Sequence, residues 1–348
     1  MRFLDRVRDY SQKQQFLVFG MAGAKMMSAY SLRLEDTVID LDDVSWKQLA
    51  VYLGFSVKSL EKASDSLKMA TFDYFMEERD NSEVLVQFYD GQAEKFYRTD
   101  HPLLPVEEIL FSLSSLDHEE FGNIEEFEVT SWLTRYDQIQ VDIISDIAPA
   151  GWTSRRYTLR CGVRMKMSLD TKSSSYLETL LEFTPRDPKK APFYVAVPLA
   201  EKMGRVAAKG ETKSDLVEKF SEALLQALQC ASELSGGRLQ ELGRGPISEA
   251  EPKIKTMLED SKVPVSIQPK IERRITEEYT QFSRDDRLSE LGAILIVGEQ
   301  SPHLGKSRTK VEQYLGSLIA MGGDQVLVCG CCEQRLPTNK IEEKNNGL

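Results

Sequence analysis

The longest regular alternation of apolar and polar positions runs from Arg156 to Leu169. Every odd-numbered residue in this stretch is apolar, and every even-numbered one except Gly162 is polar or charged. Period-two alternation of this length predicts an antiparallel strand with one face in the core and the other in solvent. The pattern continues in a predicted return strand, Tyr176 to Phe183, whose polar face carries Glu178 and Glu182.

Shorter patterns predict further strands and helices on both sides of this hairpin. A strand at Glu83–Tyr89 leads into Asp90-Gly91, a strong hairpin-turn signal, and a return strand at 93–98. Pro105 precedes an amphipathic helix, and a longer one follows Ser214. The sequence therefore predicts an α+β fold, with antiparallel sheets, flanking helices and a mainly helical C-terminal region.

Changes in composition divide the predicted elements into four regions. The best linker candidate is Gly243 to Lys253, which is rich in Gly, Pro and charge. The predicted regions are an N-terminal α+β region at 1–125, a region of antiparallel sheet with the basic strand and a long helix at 126–242, a mainly helical region at 243–335 and a flexible tail at 336–348.

One segment of the N-terminal region, residues 46–65, resembles a helix-turn-helix. A small residue, Ala50, is followed four positions later by Gly54, with apolar residues around both. In this interpretation Ser56, Lys58, Ser59 and Lys62 begin or line the second helix and meet DNA. The alternative is a tight helical hairpin packed inside a larger domain, which agrees with the five acidic residues between 35 and 43.

The alternating strand is also the centre of a basic segment. Residues 151–210 hold twelve Lys and Arg against five Asp and Glu, although the whole chain has a net charge of −11. Arg156, Arg160, Arg164 and Lys166 would share the solvent face, where they could follow a phosphate backbone. If they are solvated, Arg160 and Arg164 can be replaced without unfolding the protein. The alternative is cross-strand pairing with Glu178 and Glu182, and the sequence leaves both open.

Composition and motif spacing argue against several other classes of function. No apolar run is long enough to span a bilayer and no secretion signal is visible, so we expect a cytoplasmic protein with no membrane partner. The five cysteines do not form a disulfide framework, and Cys329-Gly-Cys-Cys332 lacks a second pair at metal-ligand spacing. Six residues separate Gly298 from Gly305, where a phosphate-binding loop needs four. We therefore predict no metal, no cofactor and no catalytic residues.

The order of several features is similar to that in a family of phage- and plasmid-encoded proteins of uncharacterised function. The similarity covers roughly residues 45–200. It consists of the strand at Glu83–Tyr89, the turn Tyr97-Arg-Thr-Asp100 with the helix after Pro105, and the basic strand. The resemblance implies an origin in a mobile genetic element, and it implies no particular activity.

Two hypotheses for function follow from these patterns. The first is a non-enzymatic protein that binds nucleic acid, single-stranded or duplex, as a phage factor for replication, recombination or transcription. It depends on the helix-turn-helix-like segment and the basic strand. The alternative is a phage structural or host-interaction protein with a protein partner and no nucleic-acid binding, which agrees with the acidic overall charge.

Overall fold

The secondary structure of the chain is that of an α+β protein, as the sequence predicts. A computed structural model describes residues 1–135, 138–152, 154, 156–171, 173–199, 203–244, 258–260, 265–273 and 289–320. Its helices are α1 Phe3–Lys13, α2 Asp43–Leu53, α3 Asp65–Glu77, α4 Val106–Ser114, α5 Lys213–Glu233, α6 Leu239–Arg244, α7 Glu290–Gly298 and α8 Arg308–Ala320. Its strands are β1 Gln14–Gly20, β2 Lys25–Ser28, β3 Ser31–Leu34, β4 Thr37–Asp40, β5 Glu83–Tyr89, β6 Gln92–Arg98, β7 Asp117–His118, β8 Gly122–Asn123, β9 Glu128–Arg135, β10 Gln138–Ile144, β11 Tyr157–Ser168, β12 Ser175–Pro185, β13 Phe193–Pro198 and β14 Arg205–Val206.

The largest sheet is antiparallel, with strand order β13-β12-β11-β10-β9 and β14 paired to β12. The predicted long hairpin is therefore confirmed as β11 and β12. Helix α5 packs on one face, where the Thr179 hydroxyl donates to the Ala227 carbonyl at 2.7 Å. Helix α8 packs against β13, and its Glu312 and Gln313 side chains reach β11 and β12 on the opposite face. The sheet is covered by helices on both sides.

The two largest hydrophobic cores among the described residues lie in different parts of the chain. The larger one joins α1, α4 and the segment Phe121–Phe127 to the large sheet and to α5–α8. It therefore includes residues on both sides of the region boundaries placed at 125/126 and 242/243, which stay predictions. The smaller core lies within residues 19–96, where α2 and α3 pack against the three-stranded sheet β1-β5-β6 and the meander β2-β3-β4.

The hairpin β5–β6 and helix α4 follow the predicted pattern closely. Asp90 and Gly91 both have positive φ, 52° and 77°, which is what a two-residue turn between twisted strands requires. Helix α4 buries the predicted apolar face in the larger core. Helix α5 is capped by Thr212, two residues before the predicted Ser214, because Thr212 and Asp215 form a capping box there.

Two local features are not evident from the sequence. The highly charged segment Phe3–Lys13 forms α1, with Phe3, Val7 and Tyr10 buried on one side. The apolar run before the rejected phosphate-binding loop is the helix α7. Short apolar runs do not distinguish a buried helix from a strand, so the surrounding contacts decide.

Parts of the C-terminal predictions fall outside the described residues. These are most of the linker candidate 243–253, the cysteines at 329–332 and the tail at 336–348. Within the described ranges beyond residue 243 the regular structure is helical, as predicted. Across all of the described residues, no helix is long and apolar enough to cross a membrane.

The contact between α8 and β13 generates a test of this packing. A Cβ added at Gly316 would lie 1.9 Å from the Ala196 carbonyl oxygen, and that backbone cannot yield cheaply. We expect Gly316→Ala to lower the free energy of unfolding by about 1–3 kcal/mol, as overpacking usually does. Urea unfolding monitored by circular dichroism measures the change.

Gly237→Ala is the matched control, because a Cβ there meets nothing within 4 Å. We expect it to leave stability unchanged or raise it by up to about 1 kcal/mol. Equal effects of the two substitutions would contradict the close approach of α8 to the sheet.

Candidate functional site

The predicted solvent face of β11 is a network of ion pairs, and Arg164 lies at its buried centre. Its guanidinium binds both carboxylate oxygens of Asp142 on β10, at 2.9 and 2.8 Å, and one oxygen of Glu312 on α8 at 2.8 Å. None of these three side chains is more than 3% exposed. The prediction that Arg164 faces solvent is therefore wrong, because α8 covers this part of the sheet.

Charge is balanced around this centre. Arg308 of α8 donates to the other oxygen of Glu312 at 2.7 Å, so two guanidinium groups meet two carboxylates. Burial by itself lowers the pKa of Arg164, but Asp142 and Glu312 raise it by more, and the net pKa lies above its ordinary value. The cation stays charged and fully engaged by carboxylates.

Arg160 is the second node of the network. It donates to both oxygens of Glu182 on β12, at 2.9 and 3.1 Å, to Glu128 at 2.6 Å and to Asp146 at 3.1 Å. Asp146 also accepts a hydrogen bond from Arg2 at 2.6 Å. Three carboxylates therefore bind the Arg160 guanidinium, which was predicted to contact phosphate.

The remaining predicted cations of the strand are placed differently. Lys166 donates to Glu178 at 3.1 Å, and Gln313 of α8 binds the other oxygen of that carboxylate. Arg156 precedes β11 and is exposed. The alternative interpretation, cross-strand pairing with Glu178 and Glu182, describes Arg160 and Lys166 correctly; Arg164 pairs with Asp142 on the other neighbouring strand.

The helix-turn-helix-like segment does not contain the expected second helix. Gly54 ends α2 with φ 92°, as the turn requires, but α3 begins only at Asp65, where Ser64 caps it. Lys58 lies in a short 3-10 turn and Lys62 in the loop after it. Phe55 of the connection packs on α3, with its ring centroid 5.0 Å from that of Phe72.

Lys58 and Lys62 are nevertheless exposed, and no ion pair holds either one within the described residues. A second pair of exposed cations, which sequence patterns did not reveal, lies on the meander. Lys25 and Arg33 are directly opposite each other on β2 and β3. Like charges in this arrangement repel and favour a bound anion. The pairing of β2 with β3 brings these two cations together, and the sequence of two four-residue strands does not reveal that pairing.

The outer side of β1 is an exposed and uncharged sheet edge, here called the β1 edge and made of Phe16, Leu17 and Val18. Among the described residues, the strand is the first in the order β1-β5-β6 and pairs on one side only. These three side chains are 40%, 45% and 53% exposed. The apolar run at 16–19 was visible in the sequence, but its position at a sheet edge was not.

No metal or thiol chemistry is indicated among the described residues. No group of three or more His, Cys, Asp or Glu side chains is arranged to hold a metal ion within those ranges. Burial raises the pKa of the Cys161 thiol and of the Cys230 thiol, which keeps both protonated and unreactive.

Comparison with family models, with curated proteins and with solved structures finds no match to this chain. The resemblance to phage- and plasmid-encoded proteins therefore stays a prediction, as does the phage origin.

The buried ion pairs predict a large effect on stability. We expect Arg164→Ala to lower the free energy of unfolding by about 3–5 kcal/mol, because Asp142 and Glu312 are left buried without a cation. Urea denaturation followed by tryptophan fluorescence measures the loss.

Lys62→Ala is the control, since this exposed side chain makes no ion pair within the described residues, and its effect should stay within about 0.5 kcal/mol. If Arg164→Ala unfolded at the same urea concentration as the parent, Arg164 would be a solvated surface cation, as the strand pattern alone suggested.

Proposed function

We propose that this protein works by binding another protein through the β1 edge, as a structural or host-interaction component. The observation that carries the proposal is the exposed, uncharged edge at Phe16, Leu17 and Val18. Soluble proteins usually protect such edges with charge, proline or a covering segment, because unpaired strands recruit other strands. An edge without that protection is suited to adding a strand from a partner.

The charge network supports protein binding over phosphate binding by the basic strand. Three of its four predicted phosphate ligands, Arg160, Arg164 and Lys166, are bound by carboxylates. A phosphate backbone would have to compete with the carboxylates that bind these cations, and three of them, on Glu182, Asp142 and Glu312, are almost fully buried. The cost of leaving a buried carboxylate unpaired exceeds what a surface phosphate contact returns.

The proposal predicts that a charge on the β1 edge abolishes partner binding. Tagged protein is purified from cells that also express the untagged chain, so that a second copy counts as a partner. We expect Leu17→Lys to lose a protein that the parent retains, because strand addition would bury the ammonium group. Quantitative mass spectrometry of the retained proteins is the measurement.

Val51→Lys is the matched control. Val51 is 70% exposed near the C-terminal end of α2, away from the edge, where a lysine agrees with the helix dipole. It should retain the same partner as the parent. Identical sets of retained proteins for the parent and Leu17→Lys would contradict the proposal.

Nucleic-acid binding is the second candidate function, and it is favoured by a separate observation. Lys58 and Lys62 are exposed without an ion pair among the described residues, and Lys25 and Arg33 lie side by side. Phosphate contacts by these four residues would be made by the N-terminal elements and not by β11.

This candidate predicts that replacing both Lys58 and Lys62 with Ala reduces the salt dependence of binding. Each phosphate contact contributes about 0.9 to the slope of log K against log salt, so the double variant should lose about two units. Mobility shifts across a salt series, with single-stranded and duplex DNA and RNA, measure the slope.

Lys213→Ala is the control, because this exposed lysine is bound by Glu108. Its slope should equal that of the parent. The absence of any shift at low salt would remove the nucleic-acid candidate, since phosphate-driven binding is strongest there.

A further inference from the structure

We propose that the partner of the β1 edge is a second copy of this chain, paired antiparallel about a two-fold axis at Leu17. The inference rests on the proposed function and names its partner. Three observations support it. They are the direction of each main-chain group of β1, the hydrogen bonds that some of these groups already make, and the register in which the remaining groups of two copies can pair.

The direction of each main-chain group follows from the ends of the β1–β5 ladder. The Met21 amide donates to the Ser82 carbonyl at 2.9 Å, and the Asp90 amide donates to the Lys13 carbonyl at 3.0 Å. Hydrogen-bonded pairs alternate with non-hydrogen-bonded pairs in an antiparallel ladder. The odd-numbered residues of β1 therefore face β5, and Gln14, Phe16, Val18 and Gly20 present their main-chain groups outward.

The amides at both ends of this outward row are already bound. The Gln14 amide donates to the Tyr10 carbonyl at the end of α1. The Gly20 amide donates to the Glu35 carboxylate at 2.7 Å. For Phe16 and Val18, no hydrogen bond to the outward main-chain groups is made within the described part of the chain. In the middle of the row, the amides and carbonyls of Phe16 and Val18 are thus left for a partner.

In one register, these four groups of one copy can all form hydrogen bonds with the same four groups of a second copy. With the axis at Leu17, Phe16 pairs with Val18 of the second copy and Val18 with its Phe16, so all four groups gain a partner on each chain. An axis at Phe16 would oppose Val18 to Gln14, and an axis at Val18 would oppose Phe16 to Gly20. Both alternatives require an amide that is already bound.

The side chains agree with the same register. Phe16 and Val18 are on one face, where an aromatic residue and a β-branched residue would lie directly opposite each other twice. Leu17 is on the other face and would meet Leu17 of the second copy. The strand Gln14–Gly20 holds no charged residue that would be buried by this pairing. A symmetric, self-complementary contact of this kind closes as a dimer.

The mass of the full-length protein across a concentration series tests the pairing. We expect a reversible dimer by sedimentation equilibrium. Leu17→Lys should raise its dissociation constant at least tenfold, because two ammonium groups would be directly opposite each other. Val51→Lys should leave the constant unchanged. Circular dichroism checks that each variant is folded, which we expect because Leu17 and Val51 are exposed.

Cysteine cross-linking tests the register. In a parent with Cys329, Cys331 and Cys332 replaced by Ser, Leu17→Cys should form a covalent dimer when copper phenanthroline oxidises the two thiols. Opposed Cα atoms of a non-hydrogen-bonded pair lie about 4.5 Å apart, within disulfide reach. Gln15→Cys is the control, because its own copy would lie about 13 Å away, four residues along the strand.

The outcomes separate the dimer from the broader proposal. A monomer at all concentrations, or equal cross-linking of the Leu17→Cys and Gln15→Cys variants, overturns the two-fold pairing. If Leu17→Lys nevertheless loses a different protein that the parent and Val51→Lys retain, binding through the β1 edge stands. If the protein is monomeric and that substitution changes no retained protein, both proposals fail.

Discussion

The buried guanidinium of Arg164 is the interaction on which the arrangement around the large sheet depends. It connects β11 to Asp142 on the neighbouring strand and to Glu312 on α8, so one charge holds two strands and a helix together. Such a group is stable only where carboxylates replace the water it has lost. Arg308 completes the balance by binding Glu312 from the same helix. The helix α8 can therefore cover a polar sheet face that would otherwise face solvent.

Because carboxylates bind the cations of the sheet face, we propose that the protein binds its partner at a strand edge instead. Two edge strands, β9 and β1, differ in how their outer sides are covered. At β9, the N-terminal residues close part of the edge, where the Val129 amide donates to the Met1 carbonyl and Phe3 donates to Phe127. At β1, a helix end and a carboxylate close only the two ends of the outward row. Among the described residues the middle of β1 has no such cover and no charge, which is why we propose that a partner binds there.

Sequence patterns correctly predicted the elements whose conformation is determined by a strong local signal. The hairpin around Asp90-Gly91 formed as expected because the turn requires positive φ and few residues adopt it readily. The strand at 157–168 followed from strict alternation, and its apolar face lies in the larger core as predicted. Gly54 ended α2 for a similar reason. The second helix expected after it did not form, because Phe55 packs on α3 and Ser64 caps a later start.

By itself, the sequence determined the α+β class, the long hairpin, the turn glycines and the presence of a row of cations on alternate positions of one strand. Only the tertiary structure decided what those cations do. Alternation states that Arg160 and Arg164 share a face, and it carries no information about what lies above that face. The carboxylate of Glu312 is 148 residues from Arg164 along the chain, and their contact exists because α8 packs across the sheet. In the same way, the run at Phe16 was visible as an apolar segment, but an unpaired edge is a property of strand order, which local sequence does not encode.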